Sequence, residues 1–224
     1  MVSFPGLTIG FGIPERIANA TNSVGLWPGS LAGGLGFRNL FEKTGGYLRI
    51  LFLPTILGSL AGALLLLNTS NGDFKNIIPV LVLLAAVLLL LQKRMKGLIG
   101  KGKQLPLPWG IGLQFLVSFY GGYFGAGMGI MMLACFALYI EGNVHELNAV
   151  KNWLSLIVNF ACSSVFIFEG LVRFWPALYL VLGALVGGFV AARVSQRFDP
   201  DKLRLVIAVY GFGMAAFFAY RAYW

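Results

Sequence analysis

Five polar side chains in an otherwise apolar stretch, Asn148, Lys151, Asn152, Ser155 and Asn159, recur at spacings of three, one, three and four. On a helix they share one face. An ammonium inside a bilayer costs about 2.5–3.5 kcal/mol on the insertion scale unless a partner or a bound anion compensates it. A second polar group, Asn19, Thr21, Asn22 and Ser23, interrupts another apolar stretch. Between the two, five of the nine residues from Gly121 to Gly129 are glycine. Each weakens a helix by about 1 kcal/mol, which predicts two half-helices joined by unwound backbone. Such backbone is tolerated at membrane depth only against protein or a watery cavity. A cation, amide and hydroxyl groups, and a half-helix N-terminus are together the chemistry of an oxyanion site. The expected substrate-binding set is Asn19, Thr21, Asn22, Gly125, Gly127, Gly129, Asn148, Lys151, Asn152 and Asn159. The same residues also admit a packing reading, in which asparagines bridge helices and Lys151 snorkels to nearby headgroups. Small residues likewise form helix-packing seams, the reading that fits Gly58/Gly62 and Gly183/Gly187.

Other chemistry is poorly provided for. The sequence has no GxSxG elbow, no HExxH and no pair of intramembrane aspartates, so an enzyme is not expected. His145 is the sole histidine and has no metal-ligand partners in suitable spacing. Cys135 and Cys162 lie in apolar runs without a CxxC pairing and read as packing residues. All eight acids, from Glu15 to Asp201, fall at or near span ends, which leaves no carboxylate at mid-membrane to relay protons. No cofactor or bound metal is expected.

The elements that carry these residues follow from composition. Of 224 residues, 58% are hydrophobic and 11% charged, and mean hydropathy is +0.81. Soluble domains carry roughly 45–50% apolar and about 25% charged residues, so this chain lives in lipid. The net charge of +9 arises from scarce acids and clustered lysines. It marks cytoplasmic loops by the positive-inside rule rather than a nucleic-acid surface. At roughly 20 apolar residues per crossing, six or seven spans fit. The clearest are Tyr47–Leu67, Phe74–Leu91, Leu147–Phe168, Leu171–Ala192 and Leu203–Tyr223, with Ile17–Phe37 more polar.

Aligned on itself, the chain places Asn19–Val24 over Asn148–Trp153 at an offset of 129 residues, and Gly58 near Gly183 follows in order. The expected fold is therefore an all-α polytopic membrane protein in two related halves of about four segments each, residues 1–104 and 105–224, with glycine-broken helices. The first half is N-terminally incomplete in this register, because Met1 falls opposite Ile130, just past the glycine cluster. Residues 92–104, with Lys93, Arg94, Lys96, Lys101 and Lys103 and no acid, are expected on the cytoplasmic side. Whether Trp109–Ile140 crosses or re-enters stays open. Re-entry would bring Arg193, Arg197, Lys202 and Arg204 to the same side, yet Trp109–Phe124 as a helix would rise about 24 Å, most of a crossing.

The blocks Val2–Gly33, Gly121–Ile130, Glu146–Phe174 and Gly183–Ile207 resemble, in this order, the sulfite exporter TauE/SafE family, also called DUF81 or YfcA-like permeases. The likeness covers nearly the whole chain. It implies a bacterial or archaeal inner-membrane, multi-pass permease of about eight segments that moves sulfite, sulfonates or related organosulfur anions by alternating access. The family's glycine motif falls on Gly125, Gly127 and Gly129, and its two polar blocks on Ala18–Asn22 and Asn148–Asn152. The first glycine-rich helix of the pattern has no counterpart after Met1, implying a late-assigned start or a truncated member. The expected partners are a small anionic substrate and membrane lipid, with a homo-oligomer left open. The alternative is a passive anion channel or a membrane scaffold that transports nothing.

Overall fold

The computed structural model describes residues 3–36, 38–98, 104–195 and 200–224. A short helix, α1 (Ser3–Pro5), runs into a π-helical turn (Gly6–Gly10), and among the described residues eight further α-helices follow. They are α2 (Glu15–Gly36), α3 (Phe41–Asn68), α4 (Asn71–Leu98), α5 (Leu107–Tyr123), α6 (Met128–Tyr139), α7 (Val144–Phe168), α8 (Phe174–Ser195) and α9 (Pro200–Tyr223). Among the described residues four segments, Lys43–Asn68, Asn71–Leu91, His145–Phe168 and Leu205–Tyr223, are long and apolar enough to cross a membrane. The chain is thus an all-α multi-pass membrane protein. The N-terminal segment buries Phe4 and Leu7, and Phe4 packs edge-on to Phe124 at 5.3 Å between ring centroids.

The segment left open by sequence re-enters. The Leu105 N–H donates to the Leu138 carbonyl at 2.8 Å, and Gly110 abuts the Tyr139 ring. The start of α5 and the end of α6 therefore lie side by side, and Phe124–Gly127 forms the tip of a hairpin. With 17 residues, α5 rises about 25 Å, so the arm is long because the hairpin penetrates deeply. Left-handed backbone at Gly125 (φ 73°) and Gly127 (φ 85°) makes the turn, a conformation that L side chains resist.

Helix directions follow from the contacts. Lys43 of α3 lies 3.8 Å from Glu146 of α7, and the Cys162 thiol meets the Ser59 carbonyl at 3.6 Å, so these two run parallel. In contrast, α2 is antiparallel to α7, with Trp27 against Phe160 and Gly33 against Asn152. Gly25 and Gly29 of α2 meet Leu180 and Ala184 of α8 in parallel register. The Tyr223 hydroxyl of α9 donates to the Asn76 carbonyl near the start of α4. Hence α3, α5, α7 and α9 run one way and α2, α4, α6 and α8 the other. The ends of α4 and α8 emerge on one side of the bundle. The basic side chains at 93–103 and 193–204 lie outside the residues whose side chains are described.

Two backbones nearly touch where α3 meets α5. A Cβ at Gly58 would overlap the Phe115 carbonyl, one at Gly62 that of Phe119, and one at Gly122 that of Ser59. The sister seam at Gly183 and Gly187 on α8 faces no atom within 4 Å. Both free cysteines are buried.

Two outcomes are expected. Gly62→Val should lose stability by overpacking, about 1–3 kcal/mol or more, whereas Gly183→Val should melt like wild type; equal losses would contradict the two environments. In a background with both native cysteines replaced, Lys101→Cys and Gln196→Cys should label from one membrane face with impermeant maleimide. Gly72→Cys and Glu169→Cys should label from the other, and labelling of the first two from opposite faces would exclude the hairpin.

Candidate functional site

Lys151 sits two turns into α7, where its side chain crosses the first turn of α6. Its Cδ lies 3.4 Å from where a Gly129 Cβ would be, so the cation's stem runs in packing contact with this turn. The α6 helix starts at Gly127, whose carbonyl accepts the Ile130 and Met131 N–H groups at 3.0 and 3.2 Å. A helix start concentrates unpaired N–H groups and the positive end of the dipole. Lys151 and this start open onto a cavity of about 550 Å³ between α6, α7 and α9. Gly127, Gly129, Ile130 and Leu133 line one wall, and Val206, Ile207 and Tyr210 the opposite one. Among the described residues Lys151 is the only charged side chain in that lining, and no carboxylate forms an ion pair with it. An anion is the chemical complement of this arrangement. The α9 residues have no signal in the sequence beyond Tyr210, a polar-tipped aromatic within an apolar helix.

The other expected site residues separate. Asn152 packs its amide against Gly33 of α2, Asn148 is half-buried one turn before Lys151, and Asn159 is buried near the level of Trp27. Ser155 reaches Met132 Sδ at 3.5 Å. Gly125 turns the hairpin tip and does not line the cavity. The group on α2 lies toward the opposite end of the bundle. From the Trp27–Phe160 level, Asn22 and Lys151 are displaced in opposite directions by roughly 20 Å in total. The single site expected between two matched polar helices therefore resolves into two clusters, because antiparallel packing sends their N-terminal thirds apart.

On α2 the polar side chains brace broken backbone. Asn19 Nδ2 donates to the Tyr123 carbonyl at 2.9 Å, the last residue of α5. Thr21 Oγ1 accepts from the Arg173 N–H at 3.1 Å, just before α8. The Tyr120 hydroxyl donates to the Ala126 carbonyl at 2.6 Å and pins the tip from within.

A family model described as sulfite exporter TauE/SafE matches residues 1–218. The chain is 25% identical over 228 residues to a probable membrane transporter protein of Haemophilus influenzae, covering 100% of this chain and 88% of that one. It is 24% identical to probable membrane transporter protein ORF9 of Sinorhizobium sp, covering 96% and 82%. A third relative, probable membrane transporter protein YfcA of Escherichia coli K12, is 26% identical over 90% of this chain and 73% of its own. No solved structure matches.

The bracing role of Asn19 has a measurable cost. Asn19→Ala leaves a buried carbonyl without its donor and should destabilise the protein by about 1–3 kcal/mol, read as a lowered midpoint in thermal unfolding in detergent. A midpoint equal to wild type would remove this role.

Proposed function

Since the chain belongs to the sulfite exporter TauE/SafE family and is a membrane transporter of that family, we propose that it carries a small anion, sulfite, a sulfonate or a related organosulfur compound, by alternating access. The observation that carries this reading is Lys151, the one charged group among the described residues lining the cavity at the start of half-helix α6. Its charge, the N–H groups of that start and the Tyr210 hydroxyl supply the donors that an oxyanion takes in place of water. Gly127 and Gly129 let the backbone approach the ligand without intervening side chains. Asn148 and Asn152 stand one turn before and directly after Lys151 and would shape the approach to it.

The carrier is read as two related halves, residues 1–104 and 105–224, of opposite orientation in the inner membrane, with residues 92–104 cytoplasmic. Supporting this is the exchange of packing partners. Helix α2 rests on α8 as α7 rests on α3, the relation that a swap of halves would produce. The common side for the ends of α4 and α8 also lets both basic segments obey the positive-inside rule.

Lys151→Met should keep expression and melting near wild type while cutting saturable sulfite flux into proteoliposomes about tenfold or more, the scale of a lost charged hydrogen bond. Unchanged flux in this variant would discard the site. Flux that never saturates in wild type would favour a passive channel, and no flux of any anion a scaffold.

A further inference from the structure

The cluster on α2 holds acceptors with nothing to accept from. Asn19 and Asn22 are 1% and 4% exposed, and both Oδ1 atoms are buried without a hydrogen-bond partner. A flip of the Asn19 amide cannot relieve this, because its Nδ2 is held by the Tyr123 carbonyl and the flip would set two oxygens against each other. Buried acceptors left bare cost about 1–3 kcal/mol each, so native proteins rarely keep them empty.

Glu15 shares their helix face, at i, i+4 and i+7. The residue is 8% exposed, and its carboxylate takes a 3.4 Å hydrogen bond from Asn71 Nδ2. The neighbouring cation, Arg16, sits about 100° around the helix from Glu15 and gives its Nη1 to the Thr69 carbonyl at 3.2 Å, on the α3–α4 turn. Against Asn19 lies the C-terminus of α5, the negative end of a half-helix. The carbonyls of Gly121 and Gly122 in its last turn receive no backbone amide from the hairpin tip. Neutral amide oxygens, a carboxylate and the carbonyls of a half-helix C-terminus are the oxygen donors that a hard cation takes.

We propose that Asn19 and Asn22, with Glu15 and the C-terminal end of α5, bind an alkali cation, sodium being the probe. The offset that pairs Asn19 with Asn148 also pairs Asn22 with Lys151, so the lysine of one cluster is exchanged for an acceptor in the other. The anion and the cation then sit on either side of the hairpin tip, one at the start of α6 and the other at the end of α5. This deepens the carrier reading and rests on it for its role as a coupling site, whereas binding itself stands on the α2 geometry.

The test is thermal unfolding of the purified full chain in detergent, at constant ionic strength, with sodium, lithium or potassium replacing choline. Saturating sodium should raise the midpoint by about 3 °C or more over choline. Asn22→Ala should abolish the shift, Glu15→Gln should weaken it, and Asn22→Asp should reach it at lower sodium. These positions leave the Asn19 brace intact, so loss of folding does not mask the result. A shift from lithium or potassium that Asn22→Ala abolishes supports the site equally. No shift over choline, or an equal shift in Asn22→Ala, overturns it and leaves only ordered water on those oxygens. The anion reading is judged separately, by stabilisation with sulfite in choline that Lys151→Met removes. Either response can fail without the other.

Discussion

Inside a bilayer a helix may break only where something else satisfies the freed peptide groups, and this fold is organised around one such break. The glycine cluster ends α5 and begins α6 within four residues, which leaves carbonyls on one side of the tip and N–H groups on the other. Tyr120 supplies the bond across the tip, and Asn19 reaches it from α2. The backbone contact of α3 with α5 at Gly58, Gly62 and Gly122 seats the arm so deeply that its end meets those partners. If α5 stood one side chain further from α3, the Tyr123 carbonyl would lie out of reach of Asn19.

The break sorts charge as well as satisfying it. Helix ends of opposite polarity point to different places, so the N-terminal end of α6 shares a cavity with Lys151 while the C-terminal end of α5 accepts from the Asn19 amide. Neither location is an accident of loop shape. Both follow from a helix direction set by the packing of α3 on α5 and of α6 on α7.

Much of this was readable in the residues. Hydropathy located the long spans, since a run such as Ile77–Leu91 has no other stable environment, and glycine spacing located the break. The positions on α7 marked Lys151 by its cost in lipid. What the residues could not disclose was the direction of the second arm. A helix of 17 residues is long enough to be mistaken for most of a crossing, and only the contact between Leu105 and Leu138 closes it into a hairpin. Residue type likewise singled out Asn19 without telling that its amide meets the end of α5, since α2 packs mainly on α7 and α8. Tyr210 was hidden for a related reason, since a tyrosine near the middle of an apolar helix differs from a packing aromatic only in what lies opposite.

The hydrogen bonds of α2 also carry a consequence for how the protein is made. Asn19 finds its partner 104 residues downstream, and Thr21 finds its partner 152 residues downstream. When α2 leaves the ribosome, neither partner has been synthesised, and lipid offers no substitute. The two bonds that hold the start of α2 therefore close only after α5 and the start of α8 have been made. The start of α2 is thus among the last parts of the fold to be fixed, although it precedes both of its partners in the chain.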